Sequence, residues 1–341
     1  MRADRLALLQ QLAKIRNSQV ILYATSDRIG LETKIAADIL PFFTDHLDTI
    51  GDVEKISLVL YTRGGETLAA WSLVNLIRNF CNDFEVIVPF HCHSAGTLIC
   101  LGGDRIVMTK QATLGPIDPS VNGMLNPQVI INNQQIKVPV NVEFINGFIE
   151  MAKTDLNIKN DSALANILNN LSNQVHPLSL GEVHRTKAQI QMLAGKLLKH
   201  QKISKKKQTE IINFLCKESG SHDYTIYRRE ARDELGLNIE NPDDLQYSII
   251  KKIYNDIKIE MELDKPFDPQ LMLAQNASIN YSFHRAIIET TGGGSDIFIS
   301  EGRLNKQVFP QQVLGPNQAP IQMNQVIVQD NRTFEGWKHI I

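Results

Sequence analysis

The chain has few cysteines, and their spacing excludes two common roles. Its 341 residues include four cysteines, with no CxxC pair and no spacing typical of zinc ligands or of a disulfide framework. Three of the four lie within apolar runs, as small core residues do. This usage is typical of a protein in a reducing compartment.

An excess of one charge sign and long hydrophobic runs are also missing. The net charge is −2, which argues against a nucleic-acid partner, and the basic cluster at 202–208 is interpreted as a solvated helix end or, alternatively, a docking patch. No run approaches the roughly 20 apolar residues that span a bilayer. The first 17 residues carry charge throughout, unlike a signal peptide. We therefore expect a cytoplasmic protein.

Motifs for metals and nucleotides are likewise missing from the sequence. It contains no HExxH, no G-x-x-x-x-G-K-[ST] and no G-x-G-x-x-G. The stretch TGGGSD at 291–296 lies between two predicted strands and indicates a hairpin turn rather than a phosphate loop. We expect no metal and no cofactor, and an ATPase, if one is needed, would be a separate partner.

The first part of the chain alternates apolar strands with helices. Strands are predicted near 18–25, 55–62, 84–90 and 104–110, with helices of about a dozen residues between them. Helix is also predicted over 31–47, broken or kinked at Pro41. Strands that are apolar throughout indicate a parallel sheet covered on both faces, and so an α/β fold.

The remaining chain suggests additions to this sheet. The polar stretch 126–140 is interpreted as a surface hairpin or lid, and 142–216 is mainly helical. A helix, a hairpin and a Gln-, Asn- and Pro-rich tail follow. We divide the chain into an N-terminal amphipathic helix (1–17), a main domain (18–240) with a helical insertion, and a C-terminal extension (241–341).

Two motifs follow neighbouring strands of the predicted sheet. In YTRGGET the pair Gly64–Gly65, here called the diglycine turn, can project backbone N–H groups as an oxyanion hole requires; an ordinary strand-to-helix turn is the alternative. In HCHSAGT, Ser94 begins a helix, where it is either a nucleophile or a plain N-cap. Both would emerge at the carboxyl edge of the sheet, where ligands bind.

These motifs resemble one family. YTRGGET, HSAGTLICLGGDRIVM, LGPIDPS and SHDYTIYRREARDELGL are similar to the serine dehydrogenase proteinase family of the Clp protease/crotonase superfamily, over residues 5 to 240. The resemblance implies a stack of ββα units, Gly64 and Gly65 as the oxyanion hole and Ser94 as the acylated nucleophile. It also implies a polypeptide substrate, membrane-associated or unfolded, and a homo-oligomer with a separate ATPase or membrane partner.

A serine nucleophile needs a base, and the base needs an orienting group. By resemblance, Asp118 in GPIDPS is the orienting acid and His222 the base, which gives the chain order Ser, Asp, His. A turn-forming Asp and a helix-capping His are the alternatives. His93 is another candidate base, and Lys137 would serve as the base in a Ser-Lys dyad; an exposed hairpin lysine is the alternative.

The sequence therefore predicts a serine protease that hydrolyses peptide bonds. Two other classes remain open. The same fold supports acyl-CoA chemistry, in which the oxyanion donors stabilise a thioester enolate without a serine nucleophile. A scaffold or regulatory subunit that keeps the fold without turnover is the second alternative.

Overall fold

The computed structural model contains the alternating elements that the sequence predicts. The described residues are 2–117, 120–121, 123–131, 134–138, 140–218, 221, 223–314 and 320–340. The strands are β1 (Gln19–Thr25), β2 (Val53–Tyr61), β3 (Cys81–Val88), β4 (His91–Cys92), β5 (Arg105–Met108), β6 (Thr113–Leu114), β7 (Ser120–Val121), β8 (Gln128–Ile131), β9 (Gln134–Lys137), β10 (Val140–Asn141), β11 (Ile226–Tyr227), β12 (Ile239–Glu240), β13 (Ser278–Thr290), β14 (Gly294–Leu314) and β15 (Pro320–Ile340).

The helices lie mainly between these strands and in the insertion. The α-helices are α1 (Arg2–Arg16), α2 (Leu40–Ile50), α3 (Thr67–Arg78), α4 (Ala95–Leu101), α5 (Val142–Glu150), α6 (Asp161–Gln174), α7 (Pro177–Leu197), α8 (Lys205–Asn213), α9 (Asp244–Glu260) and α10 (Pro269–Leu273). Short 3₁₀ or π-helical turns span Ala37–Ile39, Met151–Asp155, Leu198–Gln201, Phe214–Glu218 and Glu230–Glu234. Within the described ranges, no helix is both long and apolar enough to cross a membrane.

The main sheet has eight strands, in the order β12-β5-β3-β2-β1-β13-β14-β15. Neighbours from β12 to β1 run parallel, whereas β13, β14 and β15 are antiparallel. The predicted α/β fold with a parallel sheet is confirmed. The C-terminal strands continue this sheet, because β13 pairs directly with β1.

Both faces of the parallel part of the sheet are buried. In β1, Ile21 and Tyr23 contribute to a core with α2, α3 and α4, whereas Leu22 and Ala24 contribute to a second core with α1 and α9. Successive side chains of a strand point to opposite faces. The strands are apolar throughout because helices cover both faces.

A buried charge cluster fixes α1 to the rest of the fold. The fully buried Arg5 guanidinium contacts Glu289 of β13 (2.6 Å) and Asp256 and Glu260 of α9 (2.5 Å each). Three carboxylates surround one guanidinium, so removing that guanidinium would leave buried charge uncompensated.

The segment 31–47 differs from the sequence expectation of a helix broken at Pro41. Pro41 instead lies in the first turn of α2, where its missing N–H has no helical partner to lose. Residues 31–36 are not helical, because the Ile35 N–H donates to the Gly64 carbonyl (2.9 Å) and the Ile35 carbonyl accepts from Glu66 N–H (2.8 Å). This non-helical segment becomes one wall of the site described below.

The polar stretch 126–140 contains the predicted hairpin, β8 paired with β9. The C-terminal hairpin is longer than the sequence indicated. β14 pairs with β13 as far as Asn305, and from Lys306 to Leu314 its ladder partner is β15 alone among the described strands. The outer part of β14 and β15 is therefore a two-stranded ribbon.

Candidate active site

Two strand-to-helix turns meet at the carboxyl edge of the parallel strands. β2 leads through the diglycine turn into α3, and β4 leads through Ser94 into α4. Thr62 joins the two turns: its N–H donates to the His91 carbonyl (3.0 Å), and its carbonyl accepts from His93 N–H (3.1 Å). The turns thus lie side by side, as a parallel sheet predicts.

Ser94 has an unusual backbone conformation. Its φ of 52° and ψ of −117° place it in a region that residues with a Cβ seldom adopt. Its side chain makes no capping hydrogen bond to α4. A serine that only capped a helix would have extended backbone and a bonded hydroxyl. Ser94 is therefore held on a sharp, strained turn and does not act as an ordinary helix cap.

Both positions of the diglycine turn are too crowded for a side chain. Gly64 has φ 113°, and a Cβ there would lie 2.7 Å from the Ser94 Cβ and 2.9 Å from the His93 carbonyl oxygen. Gly65 has φ 153°, and its Cβ would lie 2.1 Å from the Ile35 carbonyl oxygen. The turn therefore packs against Ser94 on one side and the 31–36 segment on the other.

The backbone amides around Ser94 differ in their availability. The Gly64 N–H donates to the Thr62 hydroxyl at 3.0 Å. The N–H groups of Gly65 and Ala95 have no hydrogen-bond acceptor among the described residues, and both residues line the same cleft as Ser94. Ala95 is the first residue of α4, whose N–H has no partner within the helix. The role of the Ala95 amide could not be predicted from residue types, because every residue except proline carries a backbone N–H.

A cleft of about 530 Å³ lies over Ser94. Its walls include the non-helical segment 32–36, and α7 contributes Thr186 and Ile190. Charged residues at the cleft are Asp27, Glu32, Lys34, Arg63 and Glu66. Neither the contribution of α7 nor that of the 32–36 segment was predicted from the sequence.

His93, one candidate base, belongs to a hydrogen-bonded chain. Arg63 donates to its Nδ1 at 3.4 Å, and because a guanidinium can only donate, that nitrogen carries no proton. Its Nε2 then donates to the Thr113 hydroxyl at 2.9 Å, and this hydroxyl donates to His91 Nδ1 at 3.0 Å. Burial first, and then the charge of Arg63, lowers the pKa of His91 to about 4. Both ring nitrogens of His93 thus already hold hydrogen bonds.

The remaining candidates are Asp118, His222 and Lys137. Asp118 and His222 lie outside the described residues. Lys137 is an exposed residue of β9, paired with Gln128, and it is not among the described residues that line the cleft. Near Asp118 in the chain, Ile117 lines the cleft.

In the described part of the chain, no group of three or more His, Cys, Asp or Glu side chains could hold a metal ion. Cys92 and Cys100 are buried beneath the serine turn with their Sγ atoms 3.4 Å apart. The site thus combines a hydroxyl and backbone amides with a cleft whose walls are partly charged and partly apolar.

Known proteins resemble this chain in sequence. Residues 47–175 match the family model of the ClpP-like SDH-type serine proteinases, which confirms the resemblance predicted from the motifs. Two uncharacterized proteins of Methanocaldococcus jannaschii are also similar. One is 29% identical over 245 residues, covering 69% of this chain and 73% of its own. The other is 36% identical over 66 residues, covering 19% and 23%.

Solved structures show a weaker likeness. Two variants of the 1510-N membrane-bound stomatin-specific protease, one in complex with a substrate peptide, are each 15% identical to this chain. They cover 69% and 63% of this chain and 85% and 74% of their own, with TM-scores of 0.38 and 0.37.

Proposed function

Because residues 47–175 match the family model of the ClpP-like SDH-type serine proteinases, we propose that this chain is a serine endopeptidase whose nucleophile is Ser94. One observation supports this most strongly. Ser94 occupies a strained turn at the floor of a cleft, between two backbone amides with no acceptor among the described residues. The strained serine favours a hydrolase over acyl-CoA chemistry, which needs the amides but not the hydroxyl.

The first step is attack of Ser94 Oγ on the carbonyl carbon of the scissile peptide. The carbonyl oxygen becomes an oxyanion, which accepts hydrogen bonds from the N–H groups of Gly65 and Ala95. Such donors are fixed before the reaction, and each contributes about 3 kcal/mol to the transition state in comparable sites. The Gly64 N–H is not assigned to the oxyanion, because it already donates to the Thr62 hydroxyl. The role of Gly64 is steric, since its lack of a side chain leaves room for Ser94.

Proton transfer is assigned to the residues that the family resemblance indicates. His222 takes the Ser94 proton and returns it to the leaving amine, and Asp118 orients the imidazole. A water molecule then attacks the acyl carbon while His222 takes its proton. His222 passes this proton to Ser94 Oγ as the acyl group leaves. Lys137 is the alternative base. His93 is not assigned this role, because both its ring nitrogens are engaged.

The substrate is a polypeptide bound in the cleft over Ser94, and the active form is a homo-oligomer. The outer edge of β15, which pairs with none of the described strands, is the feature that favours assembly, since exposed strand edges tend to be paired or covered. A separate ATPase or membrane partner would deliver the substrate.

Fluorophosphonate labelling of the purified chain tests the nucleophile. We expect one label, on Ser94, that disappears in Ser94→Ala. His222→Ala and Asp118→Asn should slow labelling at least about 100-fold if they form the triad. Lys137→Ala is the matched control.

If loss of Lys137 alone abolishes labelling, the site is a Ser-Lys dyad. If the wild-type oligomer takes no label and cleaves no unfolded protein, the proposed function is wrong and a scaffold role replaces it.

A further inference from the structure

Thr97 is a buried residue of α4, three residues after Ser94, that the proposed chemistry does not use. Its side chain is fully buried, and its hydroxyl lies 3.0 Å from the Cys92 carbonyl oxygen and 2.8 Å from the Gly115 carbonyl oxygen. The Gly115 N–H also donates to it, at 3.1 Å. A helical threonine usually bonds a carbonyl of the preceding turn. Besides the carbonyl of Cys92, the Thr97 hydroxyl also bonds a residue 18 positions away in the chain.

The hydroxyl satisfies both backbone groups of Gly115. A threonine hydroxyl has one proton and two lone pairs. It accepts from Gly115 N–H and donates to the Gly115 carbonyl, with the Cys92 carbonyl as a second, longer acceptor. Gly115 is buried, so its polar groups have no water to replace this partner. Removing the hydroxyl therefore unpairs an N–H and a carbonyl in the same residue.

Gly115 packs against residues 93–95, here called the nucleophile turn. A Cβ at Gly115 would lie 3.1 Å from the Cβ of His93, the residue before Ser94. Two residues later, Ile117 lines the cleft and donates its N–H to the Leu215 carbonyl (2.9 Å). Residues 115–117, here called the acid-proximal segment, thus contact the chain on both sides of Ser94 and lead directly to Asp118.

We propose that Thr97 is a positioning residue: its hydroxyl holds the acid-proximal segment in register with the nucleophile turn. It acts through this segment and not on the substrate. The inference rests on the proposed function, since the residue to be positioned is the orienting acid assigned to Asp118. It also explains why a threonine, and not a small apolar residue, follows Ser-Ala-Gly.

The test compares Thr97→Val, which removes the hydroxyl at nearly constant volume, with Thr97→Ser, which keeps it. Thr109→Val is the matched control, because Thr109 is equally buried and its hydroxyl bonds the Pro89 carbonyl at 2.8 Å. For a fluorogenic peptide, we expect Thr97→Val to lower kcat about 10- to 100-fold with KM within about twofold, as a misplaced catalytic group does. Thr97→Ser should restore most of kcat, and Thr109→Val should leave it unchanged.

A double-mutant cycle identifies the route of the effect. If Thr97 acts through Asp118, Thr97→Val combined with Asp118→Asn should cost no more kcat than Asp118→Asn alone. Additive losses, equal losses in Thr97→Val and Thr109→Val, or no rescue by serine would overturn the inference. A wild-type chain that neither labels nor cleaves would instead overturn the proposed function, so the two failures are distinguishable.

Discussion

Gly64 is the residue whose side chain, if it had one, would collide with Ser94, the proposed nucleophile. We expect Gly64→Ala to slow fluorophosphonate labelling of Ser94 at least about 100-fold, because a Cβ 2.7 Å from the Ser94 Cβ must displace the turn. The positive φ of Gly64 adds backbone strain to the same variant. Labelling rate and thermal unfolding are measured together.

Gly181 provides the control for that prediction. It lies on the exposed face of α7, and a Cβ there meets no atom within 4 Å. Gly181→Ala should keep the labelling rate and stabilise the fold by about 0.5–1 kcal/mol, since alanine favours helix. Equal labelling in both glycine variants would contradict the steric account of the diglycine turn.

His91 makes stability depend on pH. The unfolded imidazole has a pKa near 6.5, whereas burial, and then the charge of Arg63, lowers the folded pKa to about 4. As pH falls, the unfolded chain binds the proton first, so the stability from neutral His91 is lost between about pH 6.5 and pH 4. We expect the free energy of unfolding in urea to fall less steeply over this range in His91→Gln than in the wild type.

Above about pH 7.5 the two unfolding curves should run parallel, because His91 is then neutral in both states. Parallel curves down to pH 4 would contradict the lowered pKa of folded His91.

At the scale of elements, Arg5 joins α1 to α9 and β13. Arg5→Met should lower the free energy of unfolding by about 3–5 kcal/mol, because Glu289, Asp256 and Glu260 would lose their shared cation. Lys14→Met, at an exposed position of the same helix, should change it by less than about 0.5 kcal/mol. Chemical denaturation of both variants measures the difference, and similar losses would argue against the cluster.

The elements that were predictable are those with a local pattern. The parallel strands and the turn at Ser94 follow from apolar runs that end in glycine or serine, which a single segment encodes. The prediction of helix over 31–36 was wrong, because this segment takes its hydrogen bonds from Gly64 and Glu66, which are distant in sequence. The link from Thr97 to Gly115 and the amide of Ala95 also depend on tertiary placement, which no local pattern records.

For the whole molecule, the C-terminal strands have two separable parts. β13 and the inner half of β14 complete the sheet against β1, whereas the ribbon beyond Lys306 extends past it. Replacing residues 307–327 by Asn-Gly would join Lys306 to its ladder partner Val328 through a two-residue turn. We expect this shortened chain to keep its thermal midpoint within a few degrees, roughly a 1 kcal/mol change, and to keep Ser94 labelling.

Size-exclusion chromatography with light scattering of the shortened chain then reports on assembly. A smaller oligomer than the full chain would assign the ribbon to the proposed subunit contact. A loss of folding, by contrast, would show that the ribbon supports the sheet itself.

In the proposed mechanism, the strained backbone of Ser94 costs stability that catalysis requires. A residue with a Cβ in such a conformation costs about 1–3 kcal/mol, whereas glycine accepts it at a smaller entropic cost of about 0.5–1 kcal/mol. A copy of this chain released from selection for catalysis would therefore gain about 1 kcal/mol by drifting from serine to glycine at this position. Among relatives, a glycine there would be the mark of a lineage that has kept the fold and abandoned the reaction.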